Sequence, residues 1–190
     1  MDTHRTLLSR RGFLAAGAAG TAALAGCANG VNSHGSYRID QRVDATRSFL
    51  FSTFPGSAQL EQKSSGVLWM PLITKAGLGL GGSYGTGALR INNSSVDYYE
   101  ALQANVGFQI GAQQYAHALF FMTSEALQDF RTSNGWSAGA DAEYALIDQG
   151  GNLSAETLIT LKPVVAMVFA QTGLIAGATL GGTKYRRIIP

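Results

Sequence analysis

The stretch Gly66–Ile91, GVLWMPLITKAGLGLGGSYGTGALRI, decides how the rest of the chain is read. Glycine falls on alternate residues at Gly77, Gly79 and Gly81, and again at Gly85 and Gly87, with Leu78, Leu80 and Tyr84 between them. A period of two is the period of a β-strand, so one face is nearly bare and the other carries side chains. The pattern returns at residues 107–113 (GFQIGAQ) and 173–181 (GLIAGATLG). Bare positions let backbones approach and sheets bend, which predicts a tightly curved antiparallel sheet and no chemical site.

Working outward, residues 38–54 place Ile39, Val43, Leu50 and Phe54 at helical spacing, with Phe49 and Phe51 widening the apolar stripe and Asp40, Asp44 and Arg47 on the other side. Pro55-Gly56 ends this element, and a short helical turn follows at 58–62. The helix is expected to pack on the sheet; the competing reading lays its aromatic edge on lipid. The central stretch is expected to give a strand at 67–70, a break at Pro71 and a hairpin over 73–91, closed by a turn at Asn92-Asn93-Ser94-Ser95. Strands are expected at 98–106, 108–113 and 116–121, then a helix capped by Thr123 with Ala126, Leu127 and Phe130 on its apolar face, stopped at Asn134-Gly135. Further strands are expected at 138–147, 164–171 and 174–180. The fold class is α+β: a curved or barrel-like antiparallel sheet with N-terminal amphipathic helices and one inserted helix.

Residues 1–27 read as an address. Ser9-Arg10-Arg11-Gly12-Phe13-Leu14 resembles the twin-arginine export motif, with Arg10 and Arg11 as its signature. A weakly apolar run to Leu24 follows, about half the length that spans a bilayer. Leu24-Ala25-Gly26-Cys27 resembles a bacterial lipobox, and Cys27, the single cysteine, is the residue to be lipidated. Acyl chains contributing about 0.8 kcal/mol per buried CH₂ would hold the mature chain on a membrane. Ala28 carries no inner-membrane retention signal, so the expected location is the outer membrane of a bacterial envelope, facing the periplasm. Residues 28–37 read as a flexible tether and 38–190 as the folded domain.

Composition excludes several classes. Hydrophobic content of 46% with 14% charged residues describes a folded chain rather than a disordered one. Without Arg5, Arg10, Arg11 and Asp2, the 14 basic and 12 acidic residues balance at eleven each, which argues against nucleic-acid binding. The local basic cluster is Lys184, Arg186 and Arg187. One cysteine forms no internal disulfide and no Cys/His zinc set, and no cofactor or metal is expected.

Three chemical look-alikes read as coincidence. Gly77-x-Gly79-x-x-Gly82 matches the dinucleotide fingerprint as a string, yet a strand follows where a helix is needed. Gly81-Gly82-Ser83-Tyr84-Gly85 matches GxSxG, with Asp97 and His117 downstream in hydrolase order, but it has strand signals on both sides and lacks the strand-to-helix elbow. Asp141 and Glu143 lie two apart with no third ligand nearby, as on a solvated strand face. The protein is therefore expected not to be an enzyme.

Four segments resemble the SYLF domain: GVLWMPLITKAGLGLGGSYGTGAL from Gly66, VGFQIGAQQYAHALFFMTSEALQDF from Val106, GWSAGADAE from Gly135 and VVAMVFAQTGLIAGATLGGTK from Val164. Together they cover most of residues 38–187. The resemblance implies a lipid-binding module, also actin-binding in fungal members, with N-terminal helices associated with membranes; in eukaryotic relatives the binding favours phosphoinositides. This sequence departs from those relatives in having no SH3 or FYVE module and in carrying an export and lipidation signal. Actin and phosphoinositides have no place in a periplasm, so what carries over is affinity for anionic lipid or another amphiphile. Arg42, Arg47 and Lys75 are the expected headgroup contacts, and Phe49 and Phe51 the apolar ones. The alternative is an envelope structural or protein-interaction lipoprotein whose only lipid selectivity is its anchor.

Overall fold

The computed structural model describes residues 34–141, 144–147, 162–173 and 180–190. In chain order these form α1 (Gly35–Thr53), α2 (Gly56–Lys63), β1 (Gly66–Ile91), β2 (Ser94–Phe121), α3 (Ser124–Thr132), β3 (Trp136–Ser137), β4 (Tyr144–Ile147), β5 (Val164–Gly173) and β6 (Lys184–Ile188). The export motif, the lipobox cysteine, Glu143 and the expected 174–180 strand up to residue 179 lie outside the described residues.

The fold is α+β, built on one curled, mostly antiparallel sheet. Its spine is a very long hairpin: β1 and β2 pair from Gly66↔Phe121 to Ile91↔Ser94. The turn is Asn92-Asn93, both at positive φ (49° and 64°), the backbone that a two-residue hairpin turn requires and that asparagine tolerates. β5 pairs with the C-terminal half of β2 and β6 with its N-terminal half, so the two occupy the same edge of β2 in succession. β3 adds to β6. β4 joins β5 in parallel, the one parallel pair among the described strands.

The break expected at Pro71 and the hairpin expected over 73–91 are absent. Pro71 instead sits where the β1–β2 register shifts between Met70 and Ile73. A bulge frees a residue from the hydrogen-bond ladder, so the missing N–H costs nothing there and the strand continues with a bend. The three strands expected between 98 and 121 are likewise one, β2.

The curl is visible within β1 itself. A Cβ placed on Gly87 would collide with the Trp69 carbonyl oxygen, and one on Gly85 with the Leu72 carbonyl oxygen. Residues some fifteen positions apart on one strand therefore meet backbone to backbone, an approach only glycine permits.

Two apolar clusters lie on the two faces of the sheet. Inside the curl, Leu68, Met70, Ile73, Leu89, Leu119 and Phe121 pack with Phe130 of α3 and Trp136 of β3. Outside, Val67, Trp69, Ala88, Phe120 and Val165 receive Ile39, Val43 and Leu50 of α1 and Leu60 of α2. Each such side chain, once buried, contributes roughly 1.5–3 kcal/mol. α1 thus turns Ile39, Val43 and Leu50 of its expected apolar stripe toward the core, and it begins at Gly35, three residues before the segment expected to be helical.

α3 follows the sequence closely. Thr123 Oγ1 accepts from the Ala126 backbone N–H at 3.2 Å, Leu127 and Phe130 are buried, and Gly135 (φ 98°) lies just past the end. Thr123→Ala is expected to cost about 1 kcal/mol, read as a lower urea midpoint with unchanged m-value.

Candidate functional site

α1 carries its charges on two separate flanks. On one, Asp40 and Asp44 dock onto the β1–β2 hairpin. Arg90 Nη1 donates to Asp44 Oδ1 at 2.6 Å, while Ser95 Oγ and Tyr98 Oη donate to the two Asp40 carboxylate oxygens at 2.6 and 2.8 Å. Arg90 is itself buried, so these contacts fix the rotation of the helix. Burial pushes the Tyr98 hydroxyl pKa up, and the Asp40 carboxylate adds to the shift.

The other flank is basic. Arg38, Arg42 and Phe49 recur at i, i+4 and i+11, one stripe along the helix, and all three are exposed. Arg42 makes no ion pair or hydrogen bond among the described residues. Phe49 is 46% exposed and stacks on Phe169 with ring centroids 6.3 Å apart. A cleft of about 230 Å³ runs beside Arg38 and Arg42 and is closed by Thr86, Ile188 and Pro190. Tyr37 (61% exposed) and Ile189 (78%) add apolar surface at this end of the molecule.

The remaining expected contacts lie elsewhere. Arg47 grips Glu61 of α2, with Nε 2.8 Å and Nη2 2.5 Å from the carboxylate, and its guanidinium carbon sits 4.7 Å from the Phe51 ring centroid. That hydrogen-bonded carboxylate raises the Arg47 pKa. Phe51 meets Trp69 edge-on, ring centroids 6.1 Å apart, against the outer apolar cluster. Arg47 and Phe51 therefore tie α1 to α2 and to the sheet.

Lys75 is 8% exposed, on the face of β1 that lines the curl. It stands opposite Gln113, and Ser83, Gln103, His117 and Thr183 are further buried polar side chains. No carboxylate within 4 Å of Lys75 occurs among the described residues. Lys75 and the α1 stripe thus lie on different surfaces of the sheet.

Ser83, Asp97 and His117 each keep separate company. Ser83 Oγ is 3.4 Å from Gln103 Oε1 and also bonds to Tyr115. Asp97 is held by Arg131 and Arg187. His117 Nε2 lies 2.9 Å from Tyr185 Oη. Its ring is wholly buried, and desolvation pushes its pKa down to about 3, so it is neutral at physiological pH. Asp141 closes a turn, its Oδ2 accepting from the Ser137 N–H. Among the described residues no set of three His, Cys, Asp or Glu side chains could hold a metal, and no helix is long and apolar enough to cross a membrane.

Sequence reading missed β6, because Lys184, Arg186 and Arg187 interrupt any apolar alternation. The signal that was present is the basic cluster itself, which the strand brings to α3.

Residues 102–187 match the family model described as Ysc84, a Las17-binding protein and actin regulator. This segment runs from β2 through α3 to β6 and is similar to that family's domain, in agreement with the SYLF resemblance. The family is associated with lipid or actin binding. No curated protein matches the chain.

Proposed function

We propose that this protein is a non-enzymatic lipoprotein of the bacterial envelope that binds anionic lipid or a related amphiphile through its SYLF-like domain. Cys27 carries the acyl anchor after export directed by Arg10 and Arg11, and the domain faces the periplasm from the outer membrane. The observation that carries the lipid reading is the outward stripe of α1, where Arg38 and Arg42 share a flank with the half-exposed Phe49. An arginine at an anionic surface contributes about 1 kcal/mol, and a partly inserted phenyl ring adds apolar burial. The anchor supplies residence and this stripe supplies orientation.

A chain beginning at Ala28, without acyl groups, is expected to sediment with vesicles containing phosphatidylglycerol and not with neutral vesicles. Arg42→Glu or Phe49→Asp is expected to cut the bound fraction several-fold, with the circular dichroism spectrum retained. The similarity to a family of Las17-binding proteins favours a second reading, a protein-contacting envelope lipoprotein. Absence of any vesicle binding by the non-acylated chain would select that reading.

A further inference from the structure

The cluster Lys184, Arg186 and Arg187 acquires a fourth cation in the folded chain. Arg131, at the end of α3, donates from Nε to Asp97 Oδ2 at 3.0 Å, while Arg187 Nε lies 3.4 Å from Asp97 Oδ1. One carboxylate therefore serves two guanidiniums. Arg187 Nη2 also donates to the Arg131 carbonyl at 3.0 Å, which holds the two side chains side by side at the helix end. Arg186 pairs with Glu100 through Nε at 2.8 Å. The Lys184 side chain passes over Gly135. Four cations thus face two carboxylates.

Beside the three arginines opens a cleft of about 450 Å³ lined by Tyr99, Arg131, Ser133, Asn134, Arg186 and Arg187, with no acidic residue in its wall. A second cleft of about 440 Å³, lined by Leu127 and Gln128, shares Arg131 and Arg187 with the first. Tyr99 forms the floor, only 3% exposed, its ring packed at 4.7 Å on Phe130. Burial raises the pKa of its hydroxyl and the adjacent Arg187 opposes that shift, so it stays a neutral donor beside the guanidiniums.

We propose that this cleft binds a phosphate group, seated on Arg186 and Arg187, with Arg131 behind them and the Tyr99 ring below. Planar guanidiniums offer paired N–H donors matched to phosphate oxygens, and the surplus of positive charge supplies the attraction that a neutral cleft lacks. The site is separate from the α1 stripe and does not depend on it. The same chemistry is offered by a lipid phosphomonoester headgroup and by free phosphate.

The full chain in detergent is titrated calorimetrically at constant ionic strength with inorganic phosphate, and separately with dihexanoyl phosphatidate below its micellar concentration. Binding of both probes is expected for a free-phosphate site, and binding of the phosphatidate alone for a headgroup site whose acyl chains occupy the second cleft. In either case Arg186→Gln is expected to weaken binding about tenfold or more. Arg187→Gln is expected to do the same, and a thermal melt separates that loss from any effect on the α3 end. Arg42→Glu is expected to leave the inorganic phosphate titration unchanged while cutting vesicle sedimentation several-fold, so the two sites fail independently. The proposal is overturned if neither probe binds, or if Arg186→Gln binds as tightly as the unsubstituted chain.

Discussion

Gly87→Ala is expected to destabilise the protein by about 3 kcal/mol or more, the upper range for forcing an atom into a packed interior. The obstacle is backbone, since the new methyl would stand on the Trp69 carbonyl oxygen, with Met70 Sδ next nearest. A side chain can rotate away from such a clash, whereas a carbonyl committed to a sheet ladder cannot move without its neighbours. Gly56→Ala provides the contrast. Nothing lies within 4 Å of its added Cβ at the start of α2, and alanine is the better helix former. That variant is expected to be neutral or up to about 1 kcal/mol more stable. Urea titrations of the two variants side by side check both statements; equal midpoints would remove the close-approach account of the curl.

Acidification from pH 6.5 to 4.5 is expected to cost about 2–3 kcal/mol through His117 alone. A histidine held near pKa 3 in the folded state stays neutral across this range, while in the unfolded chain it binds a proton below about 6.5. The unfolded state therefore gains protons first, and stability falls as pH drops through 6.5 by about 1.4 kcal/mol per unit, levelling off below about 3 where both states are protonated. His117→Gln keeps a group able to bond Tyr185 and removes the titration. Carboxylates contribute acid sensitivity to both proteins, so the measurement is the difference in their slopes between pH 7 and 4.5. Parallel slopes would mean that His117 is reachable by protons in the folded protein.

The helices and the curvature of the sheet were legible in local sequence, whereas the sites were not. Ile39, Val43 and Leu50 recur on one face of α1, and that face is the buried one. Thr123 followed by an apolar pair announces α3 and its cap. The alternating glycines announce strand, and their bareness announces close approach. Pro71 misled because a proline is a break only where the strand needs its N–H, and a register shift removes that need. Arg47 looked like a headgroup contact because nothing in its neighbourhood of sequence reveals Glu61, fourteen residues on. Lys75 looked exposed because a charged residue beside glycines gives no hint of which face of the strand is inward.

By itself the sequence determined the repeating units: which residues alternate, which recur every third or fourth, where a helix begins, and that one family of sheets accounts for the pattern. These are properties of short segments, set by backbone geometry and side-chain period. Only the tertiary structure decided which long strands are continuous, which flank of α1 is pinned by Arg90 and which is left outward, and that Arg131 joins Arg186 and Arg187 around one cleft. Those outcomes depend on residues 46 to 56 positions apart meeting across the sheet. A bend of the sheet chooses such encounters, and no local periodicity encodes them.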